Sequence, residues 1–99
     1  MQKRSLSVKA KRSKITFRFE ASDVKEVILM GDFNGWNPRK HPMKQKKSGI
    51  WEKTAMLFPG NYEYKFLVDG NWQMDPKSKQ VRMNCYGTYN NLLTIEPRR

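Results

Sequence analysis

Cysteine and histidine are almost missing from this chain of 99 residues, which holds one of each, Cys85 and His41. A single cysteine excludes an internal disulfide framework, and with one histidine it cannot complete a zinc cluster. No metal and no cofactor is therefore expected, and the compartment that this cysteine usage fits is the reducing cytoplasm. Acidic residues are also scarce, nine Asp and Glu against 20 Lys and Arg, for a formal net charge of +11. No apolar run approaches the roughly 20 residues needed to cross a bilayer, so no membrane partner is expected. The first 14 residues are basic but lack the apolar stretch of a signal peptide. Length is short as well. A chain of this size buries only about 60 to 65 % of its unfolded surface, which disfavours a second core or a deep, enclosed catalytic cleft. The protein is expected not to be an enzyme.

The charge is unevenly placed. Residues 1–14 carry six basic groups and no acid, and Arg98 and Arg99 add two more, so eight of the eleven net charges lie in the ends. The body, residues 15–97, holds 12 basic and nine acidic residues, with five of the basic ones in one stretch, Arg39, Lys40, Lys44, Lys46 and Lys47. The expected organisation is a basic tail over 1–14, one folded domain over 15–97 and a basic end at 98–99. An apolar content of 37 %, including 12 % aromatic residues, is too rich for a disordered chain.

The apolar residues recur with a period of two between Gly, Pro, Asn and Asp clusters, the mark of strands. Ile15, Phe17 and Phe19 alternate with Thr16, Arg18 and Glu20. Val24 to Met30 is a dense apolar run that predicts a central strand ending at Gly31, and Ile50 to Phe58 predicts another. Tyr62, Tyr64, Phe66 and Val68 alternate with Glu63, Lys65, Leu67 and Asp69, which places Lys65 on the face away from the core. Asp69-Gly70 predicts a tight turn, with Trp72 to Met74 returning beside the preceding strand. Residues 76–87 read as a polar loop, and Tyr89 to Ile95 as the last strand. No segment has the period of an amphipathic helix. The predicted fold is all-β, an immunoglobulin-like antiparallel β-sandwich of six to eight short strands.

Catalytic chemistry has little to stand on. His41, beside Pro42 in the basic stretch, has no nucleophile or carboxylate near it in sequence and reads as a solvated loop residue. Asp69 and Asp75 flank Trp72, a carboxylate pair beside an aromatic ring as in glycoside hydrolysis, but turn chemistry accounts for both. Binding is better supported. Trp36 lies in an Asn-Gly-rich loop and Trp72 just beyond a hairpin turn, positions that usually face solvent, whereas Trp51 inside a strand reads as core. An indole offers an apolar platform to the C–H face of a pyranose, and Lys65, Thr88, Asn90 and Asn91 could supply polar partners for the hydroxyl rim.

Four blocks in order, Gly31-Asp32-Phe33-Asn34-Gly35-Trp36, Pro59 through Trp72, Asp75-Pro76 and Gly87-Thr88-Tyr89-Asn90-Asn91, resemble the signature of family 48 carbohydrate-binding modules. These are the glycogen- and starch-binding domains of the AMP-activated protein kinase β-subunit and of branching and debranching enzymes. The resemblance spans about residues 15–96. It implies that Trp36 and Trp72 stack on glucose rings, that Lys65 bonds sugar hydroxyls, and that Thr88 and Asn90 occupy polar glucan-contacting positions. Tyr86 stands where the kinase modules carry a leucine that enters the bend of the glucan; an aromatic ring there could stack instead. The basic stretch from Arg39 to Lys47 matches no binding role of the family.

Three functions follow. The first is a non-catalytic module for α-1,4-glucans such as glycogen, starch or maltodextrin, at Trp36, Lys65, Trp72, Tyr86, Thr88 and Asn90. The second is an interaction or regulatory sandwich that packs on a glucan-metabolising enzyme or kinase. The exposure of the Trp36 and Trp72 indoles separates the two. The third, a nucleic acid as partner, is disfavoured, because the basic residues do not interleave with the aromatic ones.

Overall fold

The alternation of Ile15, Phe17 and Phe19 becomes strand β1, Ser13–Glu20, in the computed structural model of the chain, which describes residues 11–97. It is followed by β2 (Val27–Gly31), β3 (Lys44–Gln45), β4 (Ile50–Leu57), β5 (Gly60–Val68), β6 (Asn71–Gln73), β7 (Val81–Met83) and β8 (Tyr89–Ile95). Single 3-10 turns at Asp32–Asn34 and Lys47–Gly49 are the helical elements among the described residues. One antiparallel sheet has the order β1-β4-β3, the other β2-β5-β8-β7 with β6 also paired to β5. The expected all-β sandwich is present, with eight strands among the described residues. Most of the basic tail, with Lys3, Arg4 and Lys9, and the Arg98-Arg99 end lie outside the described residues.

The core lies between the sheets. Phe17 and Trp51 come from the small sheet, and Val27, Leu29, Tyr64, Phe66 and Ile95 from the large one. Rings interlock across the gap: Phe17 and Tyr64 meet edge to face at 5.2 Å, and Phe19 lies 5.0 Å from Phe66. Trp51 is core, as its strand position predicts, and its indole N–H donates to the Ala21 carbonyl at 2.8 Å.

Several elements depart from the pattern reading. β2 is buried on both faces but stands at the end of its sheet and is not central. Its outer edge is closed by residues 41–43, where Leu29 N–H donates to the His41 carbonyl and Met43 N–H to that of Val27. Burial of both faces gives a dense apolar run wherever the strand sits, so the run did not reveal its place. β7 falls inside the stretch predicted as loop; all three of its residues are exposed, and backbone pairing with β8 alone makes it a strand. β3, two exposed polar residues, was invisible for the same reason.

The turn chemistry is as expected and goes further. Asp69 and Gly70 both have positive φ, 47° and 82°, as a two-residue type I′ hairpin turn demands. The Asp69 carboxylate also accepts from the backbone N–H of Lys25 and of Glu26, tying the turn to the chain before β2. Asp75 accepts from the Tyr64 hydroxyl at 2.7 Å and from Lys77 N–H, so both carboxylates do the turn work that the sequence predicts for them. Burial first, then the Asp75 hydrogen bond and charge, push the Tyr64 phenol well above its ordinary pKa.

Candidate functional site

Alternation on β5 sends Tyr64 and Phe66 inward and turns Glu63, Lys65 and Leu67 to the outer face of the large sheet. Register then decides what stands beside Lys65. Trp72 on β6 pairs with Leu67, Met30 on β2 pairs with Lys65 itself, and Asn90 and Arg82 pair on the far side. The turn after β2 and the β7–β8 loop rise on either side of this strip. Together they form a concave site of about 470 Å³, open to solvent, that includes all six residues expected from the sequence: Trp36, Lys65, Trp72, Tyr86, Thr88 and Asn90.

The two indoles differ in setting. Trp72 is 51 % exposed, while Trp36 is partly buried; their ring centroids lie 6.0 Å apart and their planes cross at 66°. Trp36 has a left-handed backbone, φ 57°, which a bulky residue adopts at a cost of roughly 1–2 kcal/mol. Hydrogen bonds hold it there. Its backbone N–H donates to the Gly31 carbonyl and to Asn34 Oδ1, each at 3.0 Å, and its indole N–H donates to Asp32 Oδ1 at 3.0 Å. The other Asp32 oxygen accepts from Glu63 N–H on β5 at 2.7 Å, so one carboxylate ties the platform to the sheet. Gly31 permits this close approach: a Cβ there would come within 2.7 Å of the Phe33 ring and 2.9 Å of the Glu63 carbonyl.

Lys65 points away from the core as predicted, but it is not free in solvent; it is 8 % exposed. Its ammonium lies 5.9 Å from the Trp72 ring and makes one long hydrogen bond, 3.4 Å, to Thr88 Oγ1. An ammonium has three donors, so unused ones remain for a ligand. Asn90, also buried, is more committed: its amide donates to Glu63 Oε1 at 3.0 Å and its oxygen accepts from Asn84 Nδ2 at 3.1 Å. Tyr86, at the loop tip, is 86 % exposed.

Sequence reasoning missed Asn84, Glu63 and the specific work of Asp32. Asn84 Oδ1 accepts from the N–H of Tyr86 and of Thr88, and its amide donates to Thr88 Oγ1 at 2.8 Å, so one side chain shapes the whole β7–β8 loop. An Asn two residues before an exposed residue is the signal of such an Asx turn, and it lay in the stretch predicted as loop. His41 is corrected too. It is partly buried, not solvated; its ring meets Phe33 edge to face at 5.9 Å and its Nδ1 lies 2.8 Å from Asn34 Nδ2. The exposed Cys85 also borders the site. Among the described residues no group of His, Cys, Asp and Glu could hold a metal ion.

Two aromatic platforms with a buried ammonium between polar loops make up the site, and the chain that builds it is similar to known proteins. Over 70 residues the chain is 43 % identical to Protein PTST homolog 2, chloroplastic, of Arabidopsis thaliana, covering 71 % of this chain and 13 % of that protein. It is 37 % identical over 74 residues to the 1,4-alpha-glucan branching enzyme GlgB 2 of Xanthomonas campestris pv. campestris, covering 70 % of this chain and 10 % of the enzyme. It is 39 % identical over 72 residues to 5'-AMP-activated protein kinase subunit beta-1 of Sus scrofa, covering 73 % and 56 %. The chain thus spans about an eighth or a tenth of the first two relatives. The family model described as the glycogen recognition site of AMP-activated protein kinase matches residues 13–99, which include every residue of the concave site. The chain belongs to this family of glycogen recognition sites.

Proposed function

We propose that the concave site binds chains of α-1,4-linked glucose, with Trp36 and Trp72 stacking on sugar rings and Lys65, Thr88 and Asn90 serving the hydroxyls. The observation that carries this reading is that both indoles open onto one surface with the Lys65 ammonium beside them. The relatives support the substrate class, since one is named for glucan branching and the family for glycogen. Sugars exchange water hydrogen bonds for protein ones at little net gain, so an affinity between roughly micromolar and millimolar is expected, about 4 to 8 kcal/mol. The protein should be retained on insoluble glycogen or starch, released by soluble maltodextrin, and indifferent to salt, because the ligand is uncharged. Retention lost in salt but not to maltodextrin would overturn the reading and favour an anionic ligand.

Tyr86 is proposed as a third, peripheral contact. Its side chain is nearly bare, so Tyr86→Ala should leave the thermal midpoint unchanged while weakening maltoheptaose binding about two- to five-fold, for a partial stacking area. An unchanged affinity removes it from the site.

One observation favours the second reading, a sandwich that also packs on a glucan-metabolising enzyme or kinase. Val81, Met83 and Tyr89 are exposed, and the Met83–Tyr89 pairing puts them on the face of β7 and β8 opposite Arg82 and Asn90. A protein partner there would leave the glucan site open. The cytoplasm remains the proposed compartment, in keeping with the free thiol of Cys85, although three plant relatives are named as chloroplastic. No helix among the described residues is long and apolar enough to cross a membrane.

A further inference from the structure

Asn34 sits at the centre of the turn that carries Trp36, and four hydrogen bonds use both ends of its amide. Its Oδ1 accepts from the backbone N–H of Gly31 at 3.2 Å and of Trp36 at 3.0 Å. Its Nδ2 donates to the Leu29 carbonyl at 3.0 Å. These three backbone partners settle which end of the amide is nitrogen. The remaining Nδ2 hydrogen meets His41 Nδ1 at 2.8 Å, so that ring nitrogen must be an acceptor and the imidazole proton must sit on Nε2.

We propose that Asn34 and His41 are positioning residues for the Trp36 platform, and that glucan affinity falls when the His41 imidazole takes up a proton. The inference rests on the reading of the concave site as a glucan site. A proton on Nδ1 would set two donors face to face at 2.8 Å. The pair then separates or Asn34 turns, and either movement loosens the Asn34 bond that holds Trp36 in its left-handed conformation.

The surroundings of the ring keep it neutral near pH 7. Two charged groups act on it, Lys40 from its own loop and Lys53 from β4, and both oppose a positive ring. The turn after β2 presents the uncharged Phe33 ring and Asn34 amide, while β2 meets the loop through the Leu29 N–H. Burial first, then Lys53 and Lys40, lower its pKa from the ordinary 6.5. A group depressed in this way favours the folded, ordered turn above pH 6.5, and that contribution is lost as the pH falls below 6.5 through the lower folded value.

The test is calorimetric titration of maltoheptaose at about pH 7.5 and about pH 5, with wild type and His41→Gln, whose side-chain oxygen accepts a hydrogen bond without titrating. Wild type should lose about three- to ten-fold in affinity at the lower pH, and in His41→Gln the ratio of the affinities at the two pH values should fall towards one, whatever its affinity at neutral pH. Any effect of the carboxylates at the site appears equally in both proteins. In parallel, the indole N–H resonance of Trp36 is followed against pH without ligand, and it should move with the His41 midpoint in wild type alone. Identical pH profiles for the two proteins, or an indole resonance indifferent to His41, overturn the proposal. If wild type fails to bind maltoheptaose at either pH while the indole still tracks His41, the positioning stands and the glucan reading falls. Should His41→Gln not fold, the wild-type resonance decides alone.

Discussion

Trp72→Ala is expected to weaken maltoheptaose binding by at least ten-fold while leaving the fold nearly intact. The indole is 51 % exposed on a three-residue strand, so the free protein loses little packing when it is removed. A glucose ring laid on it would cover roughly 100 Å² of apolar surface, worth about 2.5 kcal/mol at 25 cal/mol per Å², or roughly a sixty-fold change in affinity. The Lys65 ammonium also loses the ring 5.9 Å away, which removes a cation–π contribution of about 0.5–1 kcal/mol and leaves the side chain less fixed. Trp36→Ala should have a comparable effect on binding. The two are not independent, because the indoles touch edge to face at 6.0 Å, so the double variant should lose less than the two single losses combined. Calorimetric titration paired with thermal melts decides the matter. Equal heats of binding from wild type and Trp72→Ala would remove Trp72 from the glucan site, and equal heats from wild type and Trp36→Ala would remove Trp36.

How far such a site can be read from sequence depends on which interaction fixes each residue. Lys65 and Trp72 were visible because the period of β5 and the Asp69-Gly70 turn settle their faces before any tertiary contact is known, and Trp36 because it stands in an Asn-Gly-rich loop, where side chains usually face solvent. Thr88 and Asn90 stood out as polar partners for a sugar rim, and the resemblance to the family then added Tyr86. Asp32, Glu63 and Asn84 were not visible, since each acts through hydrogen bonds to segments far along the chain or around a loop, and no periodicity records those. Asp32 reaches Glu63 across 31 positions, a pairing that exists only once β2 and β5 have docked. His41 was misread for a related reason: a polar residue in a basic stretch looks solvated until the chain that carries it closes the edge of β2. β3 and β7 show the limit of hydrophobic patterning itself. Their side chains are exposed on both faces, and only the backbone ladder makes them strands.

Stability should hinge on Phe66, and Phe66→Ala is expected to cost about 3–5 kcal/mol, the largest loss from any single truncation in this core. Its ring has no exposed surface, and it lies in the middle of β5, opposite Leu29 on β2 and Gln73 on β6. Rings close over it from both sheets, Phe19 at 5.0 Å and Tyr64 at 5.9 Å. These pair geometries add only about 0.5–1.5 kcal/mol each, so the main cost is lost burial and the cavity that two rigid sheets cannot collapse to fill. A domain of this size has on the order of 5–15 kcal/mol in total, and each kcal/mol moves its midpoint by about 4–8 °C. The melting temperature should therefore fall by well over 10 °C, against almost no change for the exposed Tyr86→Ala. The glucan site offers a second check. Lys65 and Leu67, on either side of Phe66, face the outer surface, so whatever fraction of Phe66→Ala remains folded at low temperature should bind maltoheptaose with near wild-type affinity. Urea unfolding monitored by circular dichroism measures the loss; a value under about 1 kcal/mol would mean that the two sheets do not meet over this ring.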